Sequence, residues 1–238
     1  MLDMQELSRQ IYSVLTSRNF RKAQPADPQG VLRNIASAVE RNSAIPLVAF
    51  WGMGNKELNW AEKETCSYLL NLNKKVQEIY SPGLDFTFVL SEPHGVHNGI
   101  PDDVIEKYTS AVRNLFSEFG FKARSLHELW RQYGISHDLI HEVWQTKDST
   151  WWEQIPNREL FEKSASRRNK RVTSQEAAQK YYIFRDMEKE VMKTEFTDSI
   201  FHTFSDTRVT NVLPNMPTLF FFSRKRGVSD TPWFVDSK

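Results

Sequence analysis

The stretch that decides the fold is "AIPLVAFWGMGNKELNWAEKE", residues 44–64. Its first eight residues are almost all apolar, which is typical of a strand buried on both faces of a parallel sheet. Two of the nine glycines of the chain follow directly, and a helical pattern begins at residue 60. Glycine lets the backbone approach a ligand closely, so this order predicts a ligand loop at the end of a strand. The alternative is an ordinary exposed turn.

A second segment repeats this order of strand, loop and helix. "DFTFVLSE" (85–92) is again a buried-strand pattern, and it is followed by a polar loop, 93–101, and a helix over 102–119. Strands that alternate with helices predict an α/β fold, here a Rossmann-like, mostly parallel sheet flanked by helices. Ligands in such sheets bind outside the carboxyl ends of the strands. The loops 52–59 and 91–101 are therefore expected to face one pocket.

The remaining segments fit one Rossmann-like domain over residues 1–238. Residues 127–172 are polar and helical, and we interpret them as a helical insertion or lid. Further helices are predicted over 3–17, 29–42, 60–80 and 174–196, with Thr173 or Ser174 and Glu176 as a capping box for the last one. "SIFHTFS", "PTLFFFS" and "TPWFV" near the C-terminus are expected to be strands that close the sheet or form a small antiparallel addition.

Composition excludes some classes of function. There are 31 basic and 30 acidic residues, and this near-neutral balance argues against a nucleic-acid partner. The sequence contains no apolar run of about 18 residues and no signal-peptide pattern, so we expect a cytoplasmic protein without a membrane partner. The lone cysteine, Cys66, cannot form an internal disulfide and is expected to pack as a small hydrophobic residue in a helix.

Several side chains are chemical candidates because of where they lie. Lys56 follows the two glycines and could hold a phosphate or carboxylate, or act on a carbonyl, although an exposed turn lysine is the simpler interpretation. His94 and His97 lie in the second ligand-facing loop. His137 and His141 are spaced for one face of a helix, which allows a metal pair, but a surface helix is favoured over a metal enzyme.

A co-linear set of motifs resembles a known family. "FWGMGNKELNWAE" combines a strand, a glycine turn with lysine and asparagine, and an Ala-Glu helix start. "IYSPGLDFTFVLSEPHGVHNGIPDD" follows, and "YYIFRDM", "FTDSIFHTFS" and "TPWF" come near the end. In this order they resemble the isonitrile synthases of the pyoverdine and dityrosine biosynthesis type. The resemblance covers roughly 40–126 and 178–236. The chain departs from the family pattern at Phe201, Ser205 and Phe234, where that family has arginine, histidine and histidine.

The resemblance implies a natural-product biosynthetic enzyme that acts at the amine of an amino-acid substrate. In that family the amine condenses with the carbonyl of a ketose phosphate, ribulose 5-phosphate, and the adduct fragments to the isonitrile. No metal and no cofactor are implied, and the sequence leaves a homodimer open. The implied catalytic residues are Lys56, His94, His97 and Glu92, and the implied substrate-binding residues are Gly52, Gly54, Asn59, Arg185, Ser205 and Arg224.

Two other functions remain alternatives at this point. One is a non-catalytic binding or partner protein that is derived from the same fold. The other is an aminoacyl-transfer synthase on a similar sheet. Such an enzyme needs a basic helix for tRNA, and the near-neutral charge weighs against it.

Overall fold

The computed structural model describes residues 3–52, 57–156, 158–168, 173–204 and 216–221. These residues form helices on both sides of a single six-stranded sheet. In chain order the elements are α1 (Met4–Leu15), β1 (Arg21–Ala23), α2 (Pro28–Glu40), β2 (Ile45–Trp51), α3 (Trp60–Gln77), β3 (Leu84–Leu90), α4 (Glu92–His97), α5 (Asp102–Glu118), β4 (Lys122–Ser125), α6 (Leu126–Gln132), α7 (His137–Gln145), a 3₁₀ turn (Trp151–Gln154), α8 (Arg158–Arg168), α9 (Ser174–Glu195), β5 (Ile200–Thr203) and β6 (Thr218–Phe221).

The sheet has the strand order β1-β6-β5-β2-β3-β4. The strand β1 is antiparallel to β6, and all the other neighbouring pairs are parallel. The central pair is in register from Ile45 opposite Leu84 to Trp51 opposite Leu90, so β2 and β3 end at the same level. The predicted α/β fold with a mostly parallel sheet is therefore confirmed.

The side chains of the central strands alternate between two cores, as the pleat of a strand requires. On β2, Leu47, Ala49 and Trp51 join the apolar cluster that α1, α2, α3 and α5 cover. Val48 belongs to a second cluster, which α6, α7 and α9 cover on the opposite face. Both faces of the sheet are thus buried, which explains the almost continuous apolar run of the sequence.

Two local features differ from what the sequence patterns alone suggest. The segment after α1 carries turn-forming residues, yet Arg21–Ala23 forms the antiparallel edge strand β1 against β6. A three-residue strand is stabilised by pairing with a distant segment, which no local pattern reveals. The predicted polar loop 91–101 begins with a short helix, α4, which has Pro93 in its first turn, where a proline needs no backbone N–H.

The described part of the C-terminal half contains further helices and the last two strands of the sheet. Residues 126–168 are mostly helical within the described ranges, and α8 packs along α9 through a small cluster of Trp152, Phe161 and Ala178. The strands β5 and β6 close the sheet beside β2, while "TPWFV" lies outside the described residues. None of the helices that the structure describes is long and apolar enough to cross a membrane.

Candidate functional site

The strand order creates a crevice at one edge of the sheet. From β2 the chain crosses to β3 on one side, and it later returns to β5 on the other side. In open α/β sheets such a reversal of strand order marks the ligand-binding crevice, outside the carboxyl ends of the strands. The glycine turn follows β2 in the sequence at this edge, α4 begins directly after β3, and α4 contacts the first turn of α9 through His97 and Ala177. The site therefore lies where α4 and α9 meet the end of β2.

A buried carboxylate joins three elements next to this crevice. The Glu188 side chain on α9 is 1% exposed. Its Oε1 accepts hydrogen bonds from Nε2 of His94 at 2.9 Å and Nε1 of Trp130 at 3.0 Å. Its Oε2 accepts one from Nη1 of Arg185 at 2.8 Å. We call these four residues the Glu188 cluster, and it links α4, α6 and α9.

The charges within the Glu188 cluster fix the role of each nitrogen. Burial alone would raise the pKa of the Glu188 carboxyl, but His94 and Arg185 beside it hold that pKa below its ordinary value. Glu188 is thus ionised at neutral pH, and an ionised carboxylate only accepts hydrogen bonds. Nε2 of His94 must therefore carry a hydrogen. Whenever the ring carries a single hydrogen, its lone pair is therefore on Nδ1, to which no described residue hydrogen-bonds.

Aromatic rings surround Arg185 and His94 in the cluster. The guanidinium carbon of Arg185 lies 4.3 Å from the ring centre of Phe50, a cation–π contact. The ring of His94 lies 6.0 Å from Phe50 and 4.9 Å from Phe184. Because Phe50 precedes Gly52 by two residues on β2, it connects the Glu188 cluster to the start of the glycine turn.

His97 lies near the Glu188 cluster but makes a different contact. Its Nε2 donates a hydrogen bond to the backbone oxygen of Ala177 at 3.0 Å. Burial lowers the pKa of His97 to about 4, so the ring is neutral at physiological pH. Its ring packs edge-on against Phe184, 5.1 Å between centres. The side chain therefore ties α4 to the start of α9.

Glu92 and Asn59 have partners outside the Glu188 cluster. Oε2 of Glu92 accepts a hydrogen bond from the backbone N–H of Leu126 at 3.1 Å, and its Oε1 lies 3.5 Å from Arg113. Burial raises the pKa of Glu92. The Asn59 side chain accepts a hydrogen bond from the N–H of Ala61 at 2.8 Å and so caps α3. Among the predicted site residues that the structure describes, His94 and Arg185 are the two that share the Glu188 cluster.

The other predicted residues divide into two groups. Gly52 lies at the carboxyl end of β2, whereas Lys56, Gly54, Ser205 and Arg224 lie outside the described residues. His141 is exposed on α7 and contacts Gln145, and His137 packs against Trp130. The described part of the chain has no group of three or more residues that could hold a metal ion.

Glu188 and Trp130 are the members of the cluster that the sequence patterns did not indicate. A signal for Glu188 exists on α9, where Tyr181, Phe184, Arg185 and Glu188 follow at spacings of three, one and three. This spacing places an acid and a base within an aromatic stripe on one helical face. Trp130 carries no comparable signal, because an apolar residue in a helix is ordinary core.

Comparison with known proteins shows the fold. The structure is similar to the crystal structure of the PvcA protein from Pseudomonas aeruginosa, with a TM-score of 0.65 and 16% sequence identity. The match covers 96% of this chain and 88% of that chain. No protein-family model matches the sequence, and no curated protein matches it. At this identity, the similarity to PvcA establishes a shared architecture.

Proposed function

We propose that the protein is an isonitrile synthase-like biosynthetic enzyme. It acts at the amine of an amino acid and uses a ketose phosphate, ribulose 5-phosphate, as co-substrate. The order of motifs in the sequence and the fold shared with PvcA support this proposal. The observation that carries it is the Glu188 cluster, which holds a histidine and an arginine at the point where the strand order reverses.

His94 is the proton-transfer residue in this proposal. Condensation of an amine with a ketone forms a carbon–nitrogen bond and releases water, and each stage requires proton transfers between nitrogen and oxygen. A histidine oriented by a buried carboxylate is well suited to such transfers, because its second nitrogen keeps a fixed direction and a fixed tautomer. The bond from Nε2 to Glu188 leaves Nδ1 for the substrate.

Arg185 is the carboxylate-binding residue. Its guanidinium group donates one N–H to Glu188 and lies over the ring of Phe50, and both contacts restrain its orientation. Arginine has five N–H donors arranged for bidentate contact, so others are available to a substrate carboxylate. The charge of Arg185 is already partly balanced by Glu188, so the site can hold this cation before the substrate arrives.

The phosphate of the co-substrate is assigned to the glycine turn. This part of the proposal rests on the sequence, in which Lys56 follows Gly52 and Gly54 and precedes the cap residue Asn59. Backbone N–H groups and a lysine would together bind a phosphate. Ser205 and Arg224 remain predicted substrate-binding residues, and His97 and Glu92 remain predicted catalytic residues.

The experiment is a mass-spectrometric screen of the purified protein with each of the twenty amino acids, with and without ribulose 5-phosphate. We expect one amino acid to be consumed only when the sugar phosphate is present. His94→Gln should lower that rate by about 100-fold or more, since a lost general acid–base typically costs that much. His141→Gln is the matched control, because His141 is exposed on α7 and contacts only its helix neighbours Gln145 and Trp144 in the described structure.

Three other results would change the assignment. Equal loss of rate in both histidine variants would show that His94 has no special role. Consumption without the sugar phosphate would remove the ketose phosphate from the proposal. Binding of an amino acid without turnover would instead support the non-catalytic binding protein.

A further inference from the structure

One hydroxyl group next to the site has no partner. Ser91 comes directly after β3, and the residue is 1% exposed. Its Oγ is buried, and no described group hydrogen-bonds to it. A buried polar group without a hydrogen bond costs about 1–3 kcal/mol. Such a group in a folded protein needs an explanation, and a missing ligand is one of them.

The local sequence explains why the Ser91 hydroxyl does not cap the helix that follows it. Ser91 is the N-cap of α4, where a serine normally accepts a hydrogen bond from the second or third N–H of the helix. The second position is Pro93, which has no N–H. The third is His94, whose N–H already donates to the backbone oxygen of Ser91 at 3.1 Å. The sequence Ser-Glu-Pro-His thus removes the ordinary capping role of the side chain.

The alternation of β3 shows to which face this hydroxyl belongs. Leu90 packs in the cluster that α3 and α5 cover, whereas Val89 packs in the cluster on the α9 face. Side chains alternate along a strand, so Ser91 follows Val89 onto the face that carries Phe50 and the Glu188 cluster. The N–H of Ser91 also donates to the backbone oxygen of Trp51 at 3.0 Å, which places the residue beside the start of the glycine turn.

We propose that Ser91 is a ligand-contacting residue of this site. Its hydroxyl donates a hydrogen bond to an anionic oxygen of the ligand, which is a carboxylate oxygen of the amino acid or a phosphate oxygen of the sugar phosphate. This inference rests on the proposed function and adds a binding residue to it. The hydroxyl is shielded from solvent, so the ligand reaches it when the side chains around it move apart.

The test compares Ser91→Ala with Ser17→Ala. The Ser17 hydroxyl is also buried without a described partner, but it follows α1 on the opposite face of the sheet. We expect both variants to be at least as stable as the wild type, because each loses an unsatisfied group. Only Ser91→Ala should bind more weakly, by about tenfold or more, since hydrogen bonds to charged groups contribute about 1.5–3 kcal/mol.

Binding is measured by calorimetry and ligand-induced thermal shifts, with the twenty amino acids and ribulose 5-phosphate as separate probes. Weaker binding of the amino acid assigns the hydroxyl to the carboxylate, and weaker binding of the sugar phosphate assigns it to the phosphate. Ser91→Cys keeps the shape and weakens the donor, so it gives the same comparison if the alanine variant does not fold.

The outcomes separate this inference from the proposed function. If the wild type binds a probe and Ser91→Ala binds it equally well, the inference is overturned while the proposed function stands. The same holds if Ser17→Ala weakens binding as much as Ser91→Ala does. If the wild type binds neither the amino acids nor the sugar phosphate, the proposed function fails, and the assignment of Ser91 fails with it.

Discussion

Two buried histidines on opposite faces of the sheet have opposite surroundings. His94 lies on the α9 face and hydrogen-bonds to a carboxylate that also holds an arginine and a tryptophan N–H. His202 on β5 is 0% exposed, and neither of its ring nitrogens has a described hydrogen-bond partner. Four phenylalanine rings surround it, with centres 5.5–5.9 Å away: Phe86, Phe88, Phe204 and Phe221.

The two histidines differ in the partners that are buried with them. On the α9 face, Glu188 and Arg185 are buried together and compensate each other's charge. On the other face, burial lowers the pKa of His202 to about 3, and the ring stays neutral. A buried histidine is thus evidence of chemistry only where ionised partners accompany it.

The largest expected effect comes from removing the shared carboxylate. Glu188→Ala leaves the side chains of Arg185 and His94 buried without their acceptor, so it should lower the free energy of unfolding by about 3–5 kcal/mol. Urea denaturation at neutral pH measures this loss. Glu188→Gln should lose less, because the amide oxygen can still accept one of these hydrogen bonds.

Asp186→Ala is the matched control on the same helix. Asp186 pairs with Lys189 at 2.8 Å, but its side chain is 61% exposed. Exposed ion pairs contribute about 0–1 kcal/mol, so this variant should stay close to the wild type. If the Glu188 and Asp186 variants lost similar stability, the buried carboxylate of Glu188 would contribute no more than an exposed ion pair, and the contrast would be wrong.

The second prediction concerns the loss of folding stability at acidic pH that is caused by His202. The pKa of His202 is low in the folded protein and ordinary in the unfolded chain, so the unfolded chain binds more protons below about pH 6.5. Stability should therefore fall as the pH falls from about 6.5 toward about 3. The slope reaches about 1.4 kcal/mol per pH unit, or about 2 kcal/mol between pH 6 and pH 4.5.

His202→Leu tests this assignment because leucine has a similar volume and no titratable group. We expect the variant to gain stability relative to the wild type as the pH falls, when unfolding curves are compared at pH 7.5, 6 and 4.5. His97 titrates in both proteins and cancels in this difference. A constant difference across the pH range would show that His202 does not titrate on unfolding.

The sequence predicted the fold better than the site. Continuous apolar runs located β2 and β3, and the spacing of Leu69, Leu72 and Val76 located α3, because both signals are local. The Glu188 cluster combines α4, α6 and α9, which are far apart in the sequence, so only the tertiary packing brings these side chains together.

The position of His202 illustrates the same limit. "SIFHTFS" predicts a strand, and β5 confirms it over Ile200–Thr203. The alternation places His202 and Phe204 on one face, but it does not show that the facing side chains are phenylalanines from β3 and β6. A polar residue in a strand is normally placed on a solvent face, and here tertiary burial overrides that expectation.

The smallest effect is expected for a buried hydrogen-bond chain on the same face of the sheet as His202. The Tyr108 hydroxyl accepts from Nε1 of Trp51 and donates to Oε1 of the buried Glu62, both at 3.1 Å. Tyr108→Phe removes both bonds but leaves the ring, so the expected loss in free energy of unfolding is about 1–2 kcal/mol. Urea denaturation of Tyr108→Phe, run in parallel with the Glu188 variants, compares the losses in free energy of unfolding directly.

Since burial raises the pKa of Tyr108, the hydroxyl stays neutral throughout, and the loss in free energy of unfolding should not change between pH 6 and pH 9. A loss as large as that of Glu188→Ala would show that removing one neutral hydroxyl costs as much as removing the shared carboxylate, and the contrast between the two sites would then be wrong.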